Sequence, residues 1–399
     1  MPLQAAPVTA EDLYRNLQDR IYQIQVIDLA SDKKSSLGSG FLISDDGLIA
    51  TNYHVVADYI HTPDKYRIEY LDSAGSKGKL EMRDIDVIHD LAIVSSDIKG
   101  KKHLQISDVG LSKGARIFAI GNPHDLGMSI VEGTFNGLLE KSLYERILFS
   151  GSLNPGMSGG PALNQRGQVI GINVATAGND LSFLVPVKYL QKMVGKLKQL
   201  SSDDLIGRIG EQLYNNQQEY MGRVLSAEWK TMSLGDFVLP AELLDYFKCW
   251  GKSDTEKEKL YDYTYSACAS PDSIFVSQQL NTASIDFRYD WYDAHSLNRF
   301  QFYNMYSDKF AGSFSTNRAG KEDVSNYQCN TDFVRLADKT WKAVLCFRQY
   351  KKFPQLFDVS LSMAQVEFNN KGLLLNMNAS GLSRDNAIGL TRKFMESMQ

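Results

Sequence analysis

Ser158 stands in the run NPGMSGGP (Asn154–Pro161), a serine framed by glycines. A serine hydroxyl is a weak nucleophile until a base takes its proton. An attacked carbonyl also needs backbone N–H donors aimed at the oxygen that becomes negative. Gly156 can adopt backbone geometry closed to other residues, turning its own N–H and that of Ser158 toward one point. Gly159 and Gly160 leave the hydroxyl open. The same residues also suit a plain turn between strands. A base must come from elsewhere, and of the six histidines His54 stands apart in LIATNYHVV (Leu48–Val56). It follows an apolar strand and opens a short helical turn, where an imidazole can face a cleft and accept a proton near neutral pH. In isolation it would be an ordinary core or surface histidine, the reading kept for His61, His103, His124 and His295. His89 adjoins Asp90 at one strand end, so its side chain should point away. Asp90 opens DLAIV, an acid directly before a buried-looking strand. Such a carboxylate is costly unless paired; it would orient an imidazolium, or merely start the strand as a turn former.

The elements around these residues are short and strand-like. Thr9 caps a first helix, with Asp12 three residues on and Leu13, Leu17 and Ile21 at helical spacing. About ten apolar or alternating runs follow, from IYQIQVID to LSFLVPV, punctuated by Gly and Asp clusters. They predict a barrel or sandwich rather than alternating α/β units. VKYLQKMVGKLKQL closes this part as a helix. Residues 1–200 are read as one domain and 201–399 as another, because all four Trp and all four Cys lie beyond residue 200. The boundary is expected near Leu200–Asp204.

The second domain reads as α+β with a mostly antiparallel sheet. It opens with a helix through DDLIGRIGEQLYNNQQEYMGRVL and ends with NAIGLTRKFMESM, capped by Ser383 or Asp385. Runs such as KLYDYTYSA, ASIDFRYDWYD, RFQFYNMYS and DVSLSMAQVEF are taken as strands. Cys249 and Cys268 have nearly the same spacing as Cys329 and Cys346, which predicts two local disulfides; four buried free thiols are the alternative. Disulfides suit an oxidising compartment, periplasmic or secreted, while free thiols suit the cytoplasm. No signal-peptide pattern is visible. No C-x-x-C pattern or histidine cluster calls for a metal, and no cofactor is expected. The net charge of −4 gives no electrostatic case for nucleic acid, and no apolar run reaches the ~18 residues of a membrane span.

Taken together, GSGFLI (Gly38–Ile43), TNYHVV (Thr51–Val56), DLAIV (Asp90–Val94), AIGNP (Ala119–Pro123) and NPGMSGGPALNQRGQVIGINVA (Asn154–Ala175) resemble the HtrA/Deg group of trypsin-like serine proteases. The resemblance covers roughly residues 10–200. It implies a chymotrypsin-like double six-stranded barrel with the cleft between the barrels and an acyl-enzyme mechanism. Ser158 would be nucleophile, His54 base then acid, Asp90 the orienting carboxylate, and the N–H groups of Gly156 and Ser158 the oxyanion hole. Val174, Ala175 and Thr176 would pair with substrate backbone.

Two departures stand out. Met157 occupies the place where this group usually has Asn and digestive trypsins Asp, so no carboxylate is present to pair with a freed N-terminal amine. The usual PDZ domain is not recognisable after residue 200. Ser152 sits where an acid would select Lys or Arg, which predicts cleavage after small or medium apolar residues in unfolded or extended polypeptides. A quality-control endopeptidase is the leading expectation. A processing protease for one partner and a catalytically silent peptide-binding scaffold are the alternatives. Substrate recruitment, covering of the cleft and oligomerisation are the roles open to the second domain, and the oligomeric state is not readable.

Overall fold

The computed structural model describes residues 8–178, 180–197, 204–255, 259–313, 317–366 and 370–398. Contacts divide the chain into two units, Met1–Gln212 with Phe275–Gln278, and Leu213–Ile274 with Gln279–Gln399. The expected boundary at Leu200–Asp204 falls largely on residues 198–203, outside the described residues.

The first unit begins with α1 (Ala10–Leu17), whose Thr9 side chain accepts from the Asp12 N–H in a capping box. β1 (Ile21–Asp28), β2 (Lys33–Leu42), β3 (Leu48–Thr51), β4 (Tyr66–Leu71), β5 (Lys77–Lys79), β6 (Glu81–Asp86) and β7 (Leu91–Ser95) follow. They form one sheet in the order β5-β4-β1-β2-β3-β7-β6, with α2 (Tyr53–His61) after β3. The expectation of two six-stranded barrels is corrected here. This sheet has seven strands among the described residues, and no ladder joins its two rims. The reason is local. β5 and β6 are opposite rims of the sheet yet only Leu80 separates them in the chain. The sheet must therefore curl until its rims approach, and the strand that would close it breaks at Leu80, which turns 5% exposed into the interior. The result is a half-barrel.

The second set does close. β8 (Arg116–Gly121), β9 (Ser129–Leu138), β10 (Ile147–Ser150), β11 (Pro161–Leu163), β12 (Val169–Gly178) and β13 (Leu181–Pro186) form a barrel in the order β10-β13-β12-β11-β8-β9. β8 shows why these strands read as nearly continuous apolar runs. Ile117 and Ala119 join one core cluster with Ile147, Phe149 and Leu184, while Phe118 and Ile120 join another with Phe41, Leu91 and Ile93. Alternate side chains leave opposite faces of a strand, and both faces here are covered. α3 (Val187–Lys196) buries Val187, Leu190 and Met193 in the second of these clusters. α4 (Leu205–Ser226) carries the chain onward, its first turns held to β6. Arg208 pairs with buried Asp84, and the Gln212 side chain bonds Val87 N–H and the Ile85 carbonyl, each at 2.8 Å.

The second unit is built on an antiparallel seven-stranded sheet. Its order is Lys248–Asp254, Asp262–Ala269, Ile285–Asp293, Lys371–Leu382, Phe357–Gln365, Lys339–Gln349 and Gln328–Leu336. Disulfides join Cys249 to Cys268 and Cys329 to Cys346. In both pairs the half-cystines face each other directly across the ladder. Each disulfide thus fastens an outermost strand to its neighbour. The run RFQFYNMYS, expected as a strand, is instead the start of helix α5 (Arg299–Gly312). Asn298 and Gln301 form its capping box, and Phe302 and Tyr306, four apart, are buried and stacked with ring centroids 5.4 Å apart. Aromatic density suggested a strand, but cap and spacing decide for the helix. α6 (Arg384–Glu396) closes the chain with Ser383 as its cap.

Candidate active site

β3 and β7 bring two of the expected residues together. Thr51 pairs with Ala92, so the end of β3 lies beside the turn that enters β7. That turn holds Asp90 at φ 60°, a left-handed conformation that acids tolerate better than most residues. Asn52 fixes it from across the gap, donating from Nδ2 to the Asp90 carbonyl at 2.7 Å. His54 lies in the first turn of α2, whose Val55, Val56 and Ala57 are buried. Both carboxylate oxygens of Asp90 are then used on His54. Oδ1 accepts the backbone N–H at 2.9 Å and Oδ2 lies 2.7 Å from Nδ1. The ring is thereby fixed in orientation, with Nε2 left for another partner. Burial opposes a charged imidazole, but the Asp90 charge and hydrogen bond outweigh it, and the His54 pKa is raised above its ordinary value. His89 does turn elsewhere. Its Nδ1 lies 2.8 Å from Asp86 Oδ2 and its ring stacks on Tyr189.

Ser158 lies in the connection between β10 and β11. Its carbonyl accepts the Ser39 N–H at 2.7 Å, tying the loop to β2 of the half-barrel. Its hydroxyl donates to the Val174 carbonyl at 2.8 Å. Among the described residues no hydrogen bond joins Ser158 to His54. The preceding loop is shaped by Gly156, at φ 97°, where a Cβ would come within 2.3 Å of the Asn122 carbonyl. Only glycine fits there without displacement. The Pro155 carbonyl accepts the His124 N–H at 2.8 Å. The Pro155–Gly156 peptide bond is trans, so the Gly156 N–H of that same peptide points the opposite way. Met157 is fully buried inside the closed barrel, where its side chain packs with Leu153 and Ala162.

Spacing gave no hint of the loop's main support. Ser39 is fully buried. Its hydroxyl donates to the Gly156 carbonyl at 2.7 Å and accepts the Asn122 N–H at 3.0 Å. The one available signal was a small polar residue inside the glycine-rich strand run GSGFLI. Asn173 adds a second support from β12, donating to the Ile120 and Met157 carbonyls at 3.0 and 3.3 Å. Of the expected substrate-binding residues, Val174 reaches Ser158 as described, and Ala175 and Thr176 continue β12 in register with Phe183 and Ser182. The side chains of Ala175 and Thr176 lie outside what is described. Ser152 is half-buried, and its hydroxyl bonds the carboxylate of Asp180, an acid from the turn before β13 that spacing alone did not bring to this position.

Relatives of this chain match its first unit in sequence. Residues 38–172 match the trypsin-like peptidase domain. Serine protease HTRA1 of Xenopus tropicalis is 33% identical over 171 residues, 40% of this chain and 35% of its own length. A probable periplasmic serine endoprotease, DegP-like, of Halomonas elongata is 34% identical over 178 residues, 42% of this chain and 36% of its own length. The chain therefore spans about a third of the length of these curated relatives. A serine endoprotease structure from Yersinia pestis aligns at 25% identity with a TM-score of 0.41, covering 48% of this chain and 68% of that one. The N-terminal half of this chain thus carries a trypsin-like peptidase domain whose relatives are serine proteases of the HtrA and DegP-like kind.

Proposed function

We propose that this chain is a serine endopeptidase in which Ser158 attacks the substrate carbonyl, His54 takes and returns the proton, and Asp90 orients the imidazole. The observation that carries the reading is the double engagement of Asp90 on His54, through Nδ1 at 2.7 Å and the backbone N–H at 2.9 Å. A carboxylate committed in this way fixes the tautomer a general base needs. For attack, the Ser158 hydroxyl must leave the Val174 carbonyl and turn to His54 Nε2. Substrate main chain pairing along Val174, Ala175 and Thr176 takes over that carbonyl and releases the hydroxyl. The N–H groups of Gly156 and Ser158 then receive the developing oxyanion, worth about 10²–10³ in rate for one such donor.

Substrates are unfolded or extended polypeptides, cut after small or medium apolar residues, in quality control. The two disulfides and the periplasmic name of the Halomonas relative support a periplasmic or secreted setting. Among the described residues no helix is long and apolar enough to cross a membrane. One observation favours a second specificity, cleavage after Lys or Arg: the Asp180 carboxylate that bonds Ser152.

The test is labelling with a fluorophosphonate probe. Wild type should label and Ser158→Ala should not. Equal labelling of both proteins, or none with an unfolded-protein substrate present, rejects the mechanism. Peptides differing only in Ala or Lys before the scissile bond, cut by wild type and Asp180→Ala, separate the two specificities.

A further inference from the structure

Four residues far along the chain join the first unit by contact, Phe275–Gln278. The two ends of α2 fix their backbone. The Tyr53 hydroxyl donates to the Val276 carbonyl at 2.7 Å, and His61 Nε2 lies 2.8 Å from the same oxygen. Tyr53 and Val276 are both fully buried. The attachment is therefore built into the interior rather than laid on a surface. Phe275, next to this anchor, is half-buried and stands beside the proposed base. Its ring meets that of His54 edge-to-face, with centroids 6.1 Å apart and planes at 76°. It meets Tyr53 in the same manner at 6.3 Å and 67°. Both distances lie in the range of favourable aromatic pairs.

We propose that Phe275 is a specificity-determining residue, its ring lining the space for the one substrate side chain that lies against the His54 imidazole and selecting an apolar group there. The inference rests on the proteolytic reading above. An extended substrate attacked by Ser158 must pass His54, and successive side chains of an extended chain leave on opposite sides. One position flanking the scissile residue therefore meets the ring. A phenyl ring offers dispersion contacts and no hydrogen bond. The neighbouring Val276 carbonyl already lies within bonding distance of two side chains. A carboxylate side chain entering here would lose water and meet a ring that offers it no hydrogen bond, whereas an apolar one would extend the aromatic contact. The run SIFVSQQL reads as a strand, but neither it nor the family motifs pointed to a place beside His54, because Phe275 lies more than a hundred positions beyond Ser158 in sequence.

The experiment profiles wild type, Phe275→Ala and Phe275→Leu on a randomised peptide library, with cleavage sites read by mass spectrometry and fluorophosphonate labelling run in parallel. The expected result is a loss of apolar preference at a single position flanking the scissile bond in Phe275→Ala, about tenfold in kcat/KM, the scale of a modest apolar contact. Other positions should keep their profile, and Phe275→Leu should recover most of the preference. Should the alanine variant not fold, Phe275→Val gives the same comparison at smaller amplitude. An unchanged profile with labelling intact overturns the inference and leaves the proteolytic reading standing. A general rise in labelling and cleavage of every peptide by Phe275→Ala also overturns it, since the ring would then cover the cleft rather than read it. Absence of serine labelling in wild type with an unfolded-protein substrate present rejects both.

Discussion

At the residue scale, the pair His54–Asp90 makes a statement about pH. Burial alone would hold the imidazole neutral, but Asp90 prevails and the pKa is raised. A raised pKa keeps the base protonated, and so unable to accept the serine proton, up to a higher pH than the ordinary ~6.5. The acid limb of kcat/KM should therefore have its midpoint above that value. Asp90→Asn removes the charge and leaves burial unopposed. The limb should move to lower pH, and kcat should fall by about 10⁴. A pH–rate profile of both proteins checks this, and an unshifted limb argues that another group governs it. Ser39 makes a second prediction. Ser39→Ala leaves the Gly156 carbonyl and the Asn122 N–H without their buried partner. The two losses together should cost about 2–4 kcal/mol. Probe labelling should slow beyond what the fall in Tm accounts for, because the loop that presents Ser158 loses its tie. The candidate residues stood out in sequence because their settings are peculiar, an acid before an apolar strand, a histidine at a strand end and a serine among glycines, and the fold brings the first two within 2.7 Å. Ser39 was not legible. A buried serine bonding main chain carries no spacing signature, and its role exists only once β2 and the Asn122–Gly156 region are side by side.

At the element scale, α4 depends on one buried pair. Asp84 is 3% exposed and its burial pushes the carboxyl pKa up, with Arg208 pulling it back. Arg208→Ala would leave that carboxylate with its backbone contact to Ile85 alone. We expect a loss of about 3–5 kcal/mol, and near-recovery in the double variant Arg208→Met with Asp84→Leu, since an apolar pair of similar volume carries no desolvation cost. Urea titrations of the three proteins test it; a single variant as stable as wild type would mean the helix is held by Gln212 and packing. The strands of the first unit were legible because Gly and Asp mark their ends and both faces are apolar. What sequence did not reveal was closure: a one-residue break at Leu80 turns an expected barrel into a curled sheet. Nor could composition tell helix from strand in RFQFYNMYS, where the cap at Asn298 decides against the aromatic bias.

At the scale of the whole molecule, the cysteines separate the units. Both disulfides lie in the second unit, and replacing Cys249 and Cys268 by Ser should lower its stability by about 3 kcal/mol, the value for a loop of this length. Units with their own cores respond separately. Serine labelling in the first should therefore persist at temperatures where the second has melted, which calorimetry and probe labelling together can resolve. The even spacing of the four cysteines made the pairing readable; their location at the two borders of the sheet was not. That location has a consequence for handling the protein. Among the described residues, the outermost strands, Lys248–Asp254 and Gln328–Leu336, each have one hydrogen-bonding side with no strand partner in the sheet. They carry exposed Trp250 and Phe333, 59% and 63% accessible. Such borders template pairing with another chain once they can flex. A thiol reductant should thus produce self-association before it produces unfolding, and light scattering should rise while the circular dichroism of the sheet is still intact.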